Sequence, residues 1–190
     1  MAYPTLADVK AFMGITTSAD DAVLSIYLSA SIAWAQNYCN RVFVADVSVR
    51  SLGREHLSQN RRSLKDVGEF VSISSIVAVG TLGWLLQPSS YRPVRLGKAD
   101  GPYELIELKS GAVRGFFYGD TVEVEASWGY STACPFEVRQ AILYATEGQY
   151  RKRQSRVVGV QLERQNATIG EATALPGEAY AFLANYVRAR

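Results

Sequence analysis

Charge of one sign is what this sequence has little of. Its 20 Lys and Arg stand against 18 Asp and Glu, a formal net charge of +2 over 190 residues. Nothing global therefore demands nucleic acid, and attraction to phosphate must come from local clustering. Long hydrophobic runs are also missing. The longest, residues 76–86 (IVAVGTLGWLL), is broken by glycines and falls short of the ~20 residues that span a bilayer. The first ten residues carry a proline and an acid where a secretory leader would place its apolar core, so a cytosolic product without membrane association is expected. Cysteine is scarce: Cys39 and Cys134 are expected free and buried rather than bridged. The single histidine, His56, lies in a polar stretch with no Ser or Cys in a recognisable nucleophile setting. No His, Cys or carboxylate cluster suggests a metal, and the glycines follow no phosphate-loop or dinucleotide pattern. Glu123 and Glu125 share one strand face, which a solvated sheet surface explains better than a catalytic pair. These absences argue against an enzyme, and no catalytic, cofactor-binding or metal-binding residue is nominated.

What is there begins with helices. Thr5 followed by Asp8 reads as a helix start, and Gly14 as its stop. Asp20 and Asp21 open a longer helix from about Ala22 to Asn40, their charges placed at the positive end of the dipole. Leu24, Leu28, Ala35 and Cys39 form one apolar stripe of that helix. Val23, Tyr27, Ala30, Trp34 and Tyr38 form a second, and no charge falls between Asp21 and Arg41. A helix on the outside of a monomer keeps a wide polar face. Two covers are open: the chain's own domain, or a neighbouring subunit.

From about residue 47 to 128 the pattern is β. Residues 70–79 are rich in β-branched side chains, residues 103–109 form another strand, and residues 121–128 alternate, with Val122, Val124, Ala126 and Trp128 inward. Turn residues separate these runs at distances that suit antiparallel pairing. Residues 50–65 are polar and charged, and are expected to form a hairpin tip or a mobile loop.

After Trp128-Gly-Tyr130 the period changes. Pro135 starts a helix with a buried stripe of Val138, Ala141, Ile142 and Ala145, running to about Arg153. It ends in four cations, Arg151, Lys152, Arg153 and Arg156. These either meet phosphate or compensate the helix dipole. Residues 154–175 lack a clear period and read as a linker or arm. Pro176 starts a last helix through Ala179, Phe182, Leu183 and Tyr186. That helix either folds back locally or reaches a partner's groove. The fold class expected is α+β: a small helical bundle (a short N-terminal helix, a long helix, a later Pro-started helix and a C-terminal helix) with an inserted antiparallel β region. The helical core comprises residues 1–46 and 131–156, the β insertion 47–130, the arm 157–175 and the C-terminal helix 176–190.

This order of elements resembles the head–tail connector (adaptor, or head-completion) family of tailed bacteriophages and phage-like elements. The matching pieces are Thr5 to Lys10; Asp20 and Asp21; Tyr38 to Arg41; Ser127 to Tyr130 followed by Pro135 and Val138 to Ile142; and Leu175-Pro176 with Leu183 to Tyr186 and Arg188. The β region is longer than in the family's shorter examples, and residues 53–64 match nothing in it. The resemblance implies a structural role in the virion neck, after synthesis in the bacterial host cytoplasm. It implies a homo-oligomeric ring, a dodecamer on the portal, that extends the channel for double-stranded DNA and presents a docking surface to a tail-side neck protein. Portal-binding candidates are Leu175, Pro176, Phe182, Leu183, Tyr186 and Arg188. Arg151, Lys152, Arg153 and Arg156 are candidates for the DNA channel or a subunit contact. Val23, Tyr27, Trp34 and Tyr38 are candidates for the subunit interface. Removing residues 176–190 is expected to abolish portal docking while leaving the fold intact. The alternative function is a small nucleic-acid-binding protein using residues 151–156.

Overall fold

The computed structural model describes residues 2–59, 62–79, 84–96, 101–109, 121–157 and 177–188. The chain is α+β and divides into two compact units. One is helical and uses Met1–Arg41 with Cys134–Arg190; the other is built of strands and uses Val42–Ala133.

The helical unit starts with α1, Leu6–Met13. Thr5 caps it: its Oγ1 accepts from the Asp8 backbone N–H, and the Asp8 carboxylate accepts from the Thr5 backbone N–H at 2.7 Å. This reciprocal bonding satisfies N–H groups that a helix start otherwise leaves open. Gly14 ends the helix at φ 70°, in the left-handed region where glycine is unpenalised. Helix α2 is Asp21–Cys39, and Asn40 closes it at φ 51°. The stripe Leu24, Leu28, Ala35 and Cys39 is buried as its spacing predicts, with Ser31 between them. Helix α3, Phe136–Val157, follows Pro135 and extends four residues beyond Arg153. The first four residues of the expected arm that begins at residue 154 are therefore helical. Val138, Ala141, Ile142 and Ala145 are fully buried. Helix α4 is Gly177–Leu183, continued by a 3-10 turn over Ala184–Tyr186. The remainder of the arm, residues 158–176, lies outside the described residues, Leu175 and Pro176 included.

The second unit holds two antiparallel sheets. The first has the order β1-β7-β3-β4: Asp46–Gly53, Thr121–Trp128, Phe70–Val79 and Trp84–Leu85. The second has the order β2-β6-β5: Ser63–Leu64, Leu105–Leu108 and Tyr91–Val94. β7 alternates as its sequence demands, with Val122, Val124, Ala126 and Trp128 buried. They join Phe70 and Ile76 of β3 and Leu64, Ile106, Leu108 and Tyr91 of the other sheet in one core. Residues 50–65 are a structured hairpin where described, because the strand pattern persists beneath the charge. β1 runs through them to Gly53, a 3-10 turn covers Arg54–His56, and Leu57 bridges Leu64.

The Trp-Gly-Tyr corner has a steric cause. Gly129 sits at φ 151°, and a Cβ there would lie 2.7 Å from the Ala45 Cα. Only glycine lets the two backbones pass. Trp128 donates its indole N–H to the Ser48 carbonyl at 2.8 Å, while Tyr130 meets Phe43 edge to face. Their apolar rings and polar tips anchor the end of β7.

Candidate functional site

Among the described residues no group of three or more His, Cys, Asp or Glu is placed to hold a metal, and no helix is long and apolar enough to cross a membrane. His56 Nδ1 lies 3.1 Å from the Lys65 carbonyl and Nε2 lies 3.6 Å from Glu55. Those contacts tie the hairpin together. Glu123 and Glu125 stand on the outward face of β7, where Glu125 accepts from the Ser75 hydroxyl at 3.2 Å. Both cysteines are free and buried, and burial pushes each thiol up to about 11. At neutral pH neither is a nucleophile.

The residues with interaction potential lie on the helices. Trp34 and Tyr38 point at Tyr180 of α4: the rings meet edge to face at 5.3 and 5.2 Å, and Trp34 stacks on Tyr38 at 5.9 Å. Val23 and Tyr27 are half-buried on the same helix. The second apolar stripe of α2 thus serves in large part to hold the chain's own last helix. Phe182 stacks on Tyr144 of α3, whose ring also receives Phe12 of α1. Leu183 is fully buried. The Arg188 backbone N–H reaches the Cys39 carbonyl at 3.0 Å. Tyr186 donates to Glu137 at 2.9 Å. Glu137 is held below its ordinary value, by its own backbone N–H first and by the Tyr186 hydroxyl second. Four of the portal candidates, Phe182, Leu183, Tyr186 and Arg188, are therefore bound into the helical unit. Deleting residues 176–190 would strip buried Leu183 and Ala179 from it, so the expectation that this truncation leaves the fold intact is revised.

The cationic end of α3 is partly spent internally. Arg151 pairs with Glu147 at 2.6 Å, and Arg153 reaches Asp20 at 3.2 Å. Asp20 also accepts from the Tyr150 hydroxyl at 2.8 Å, the main cause of a raised Tyr150 value. Lys152 is half-buried, and the Arg156 side chain lies outside the described residues.

The sequence pattern concealed the bare side of α2. Ala22, Ser25, Ile26, Ser29, Ala30, Ala33 and Asn37 are exposed, Ile26 at 65%. Ser25 and Ser29 turn their hydroxyls back onto the carbonyls four residues earlier, both at 2.9 Å. They offer little hydration outward. The i, i+4 spacing of Ala22, Ile26 and Ala30 was the available signal, obscured by the larger aromatics beside it.

The described residues form a two-part α+β scaffold with an uncharged helix face left exposed. The comparisons with known proteins show what it is similar to. Residues 3–74 match the family described as phage gp6-like head-tail connector protein, so the resemblance read in the sequence is shown. That family is one of structural connectors, not of enzymes. The fold is shared with chains of gene transfer agent particles. One, from the neck of an empty particle computed with C6 symmetry, superposes with a TM-score of 0.63 at 16% identity, covering 98% of this chain and 90% of that one. Another, from the neck of a native particle computed with C12 symmetry, gives 0.61 at 16% identity, covering 97% and 88%. A third, from the virion of the native particle, gives 0.64 at 16% identity, covering 100% and 94%. No curated protein matches this chain.

Proposed function

We propose that this chain is a structural component of the neck of a tailed phage or phage-like particle, a connector that forms a ring on the portal. The observation that carries this reading is the connector-family match over residues 3–74, continued by a fold shared with neck chains over nearly the whole length. The ring extends the DNA channel and offers the next neck or tail protein a surface. The cyclic symmetry of the particles that share this fold supports a ring of identical protomers, and the 12-fold case supports a dodecamer. The uncharged face of α2 supports burial against a sister copy, because such a helix face exposes no charge to water. The half-buried residues Val23, Tyr27 and Trp34 and the exposed Tyr38 border that contact.

Portal grip falls to the C-terminal segment, from Leu175 and Pro176 through Phe182, Leu183, Tyr186 and Arg188. Since Leu183 is already buried in its own unit, docking adds contacts around a seated helix. Arg151, Lys152, Arg153 and Arg156 face the channel or a sister subunit. The alternative, a free-standing nucleic-acid-binding protein, has less support, because Arg151 and Arg153 already hold carboxylates and duplex affinity scales with the phosphates neutralised.

The test is cryo-microscopy of purified particles carrying a tagged copy of this chain. The expected result is tag density in a cyclic ring between portal and tail. Particles whose neck lacks the chain would overturn the reading.

A further inference from the structure

β1 is an edge of the first sheet, and the order β1-β7-β3-β4 leaves it bonded to a strand on one side only. Its first six residues, Asp46 to Ser51, are all exposed, those of the inner face included. The free N–H and C=O groups of such an edge are a template for another strand, and proteins blunt it with proline, lysine or inward-pointing charge. β1 holds no proline and no lysine. It does hold two charges on its inner face, where register sets Asp46 opposite buried Trp128 and Arg50 opposite buried Val124. Val47 and Val49 stand on the outer face, each 58% exposed.

Neither charge is answered within the chain. Arg50 lays its guanidinium over the Trp128 ring at 4.2 Å and donates to the Val67 carbonyl at 3.2 Å. Both partners are neutral, and no carboxylate among the described residues pairs with it. Asp46 is exposed, and no cation among the described residues pairs with it. Residues 46–50 read Asp-Val-Ser-Val-Arg. That order is complementary to its own reverse.

We propose that β1 pairs antiparallel with β1 of a second copy of this chain, about a two-fold axis at Ser48, so that two four-stranded sheets become one of eight. Asp46 then faces the partner's Arg50, Val47 faces the partner's Val49, and both contacts occur twice. Opposed residues of an antiparallel pair point to the same face with Cβ atoms about 4.5–5.5 Å apart, close enough for an ion pair. A two-fold axis normal to the sheet keeps inner residues inner, so it must pass through a residue position. Centred on Asp46 or Arg50, it opposes like charges. Centred on Val47 or Val49, it sets the charges against Ser48, Val44 or Leu52. Only Ser48 brings opposite charges together. A foreign apolar strand would cover the same two charges without answering them, so the edge fits a second copy.

Eight residues at about 3.3 Å each, on a sheet ~10 Å thick, give the edge an area on the order of 250 Å². A standard stable interface takes ~800 Å² per partner, so the pairing is reversible. A contact of this symmetry closes with two copies and cannot propagate round a ring. It therefore belongs to the free chain, goes beyond the ring proposed above, and stands without it.

The test is sedimentation equilibrium of the purified full chain up to its solubility limit, with hydrogen exchange of residues 46–51. The dimer fraction is expected to rise with concentration, and exchange in β1 to slow in step. Asp46→Arg, which sets arginine against arginine twice, is expected to weaken association at least tenfold, as is Arg50→Asp. An equimolar mixture of the two variants restores opposite charges at both positions. It is expected to associate within threefold of the original chain. Should Arg50→Asp fail to fold, since Arg50 also covers Trp128, Asp46→Arg and Asp46→Asn decide, the latter expected to cost about threefold. A chain monomeric at every concentration, association unchanged by the Asp46 variants, or a mixture no better than its components overturns the proposal. Monomers in solution with β1 covered in the particle assign the edge to another neck protein and overturn it equally.

Discussion

Leu183→Ala separates a C-terminal helix that is part of the fold from one that is a free arm. Leu183 is fully buried, as is Ala179 one turn earlier, and the Tyr180 and Phe182 rings lie on aromatics of α2 and α3. Removing three carbons at about 0.8 kcal/mol each gives ~2.4 kcal/mol before any cavity is counted. The cavity raises this toward the ~2.7–5 kcal/mol seen for buried leucines, and about 3 kcal/mol is expected here. At a typical urea slope of about 2 kcal/mol/M, the unfolding midpoint falls by about 1.5 M.

Because α4 is short, a second outcome is built into the same experiment. Where docking of α4 is worth less than the cavity costs, the segment detaches. The midpoint then falls by less than about 1.5 M, while the amides of residues 177–188 lose hydrogen-exchange protection. Either result places α4 on the helical unit of the free subunit. A midpoint shift below about 0.25 M, or ~0.5 kcal/mol, together with unchanged exchange would refute the reasoning.

Two further expectations concern ionisation. The Asp8 value is lowered, by the Thr5 backbone and side-chain bonds first and by Arg139 after burial. A depressed folded value adds stability above the unfolded value, and that stability disappears as pH falls through the folded one. Thr5→Ala is therefore expected to cost about 1 kcal/mol at pH 7 and progressively less below about pH 4. Urea unfolding at both pH values checks this, and an equal cost at each would contradict it. Cys39 and Cys134, pushed up to about 11 by burial, are expected to resist a thiol reagent at pH 8 in the folded chain and to react fully in urea. Fast labelling without denaturant would show that the helical unit opens.

The elements with unambiguous chemistry were legible. Thr5 with Asp8, Gly14, Pro135 and the alternation of residues 121–128 each state a local geometry that tertiary contacts did not override. The hairpin of residues 50–65 was less legible, because its charges obscured a strand whose neighbours came from residues 121–127. The second stripe of α2 shows the larger difficulty. Trp34 and Tyr38 are apolar on the outside of a helix, which sequence reads equally as a subunit interface or as a seat for a distant segment. Tyr180, more than 140 positions away, takes the seat. With the aromatics engaged internally, the exposed apolar surface moves to small residues around Ile26 and to the valines of β1, neither of which forms a conspicuous pattern. The role proposed leaves little else to read: its working surfaces would be ordinary side chains whose significance comes from what they are not buried against.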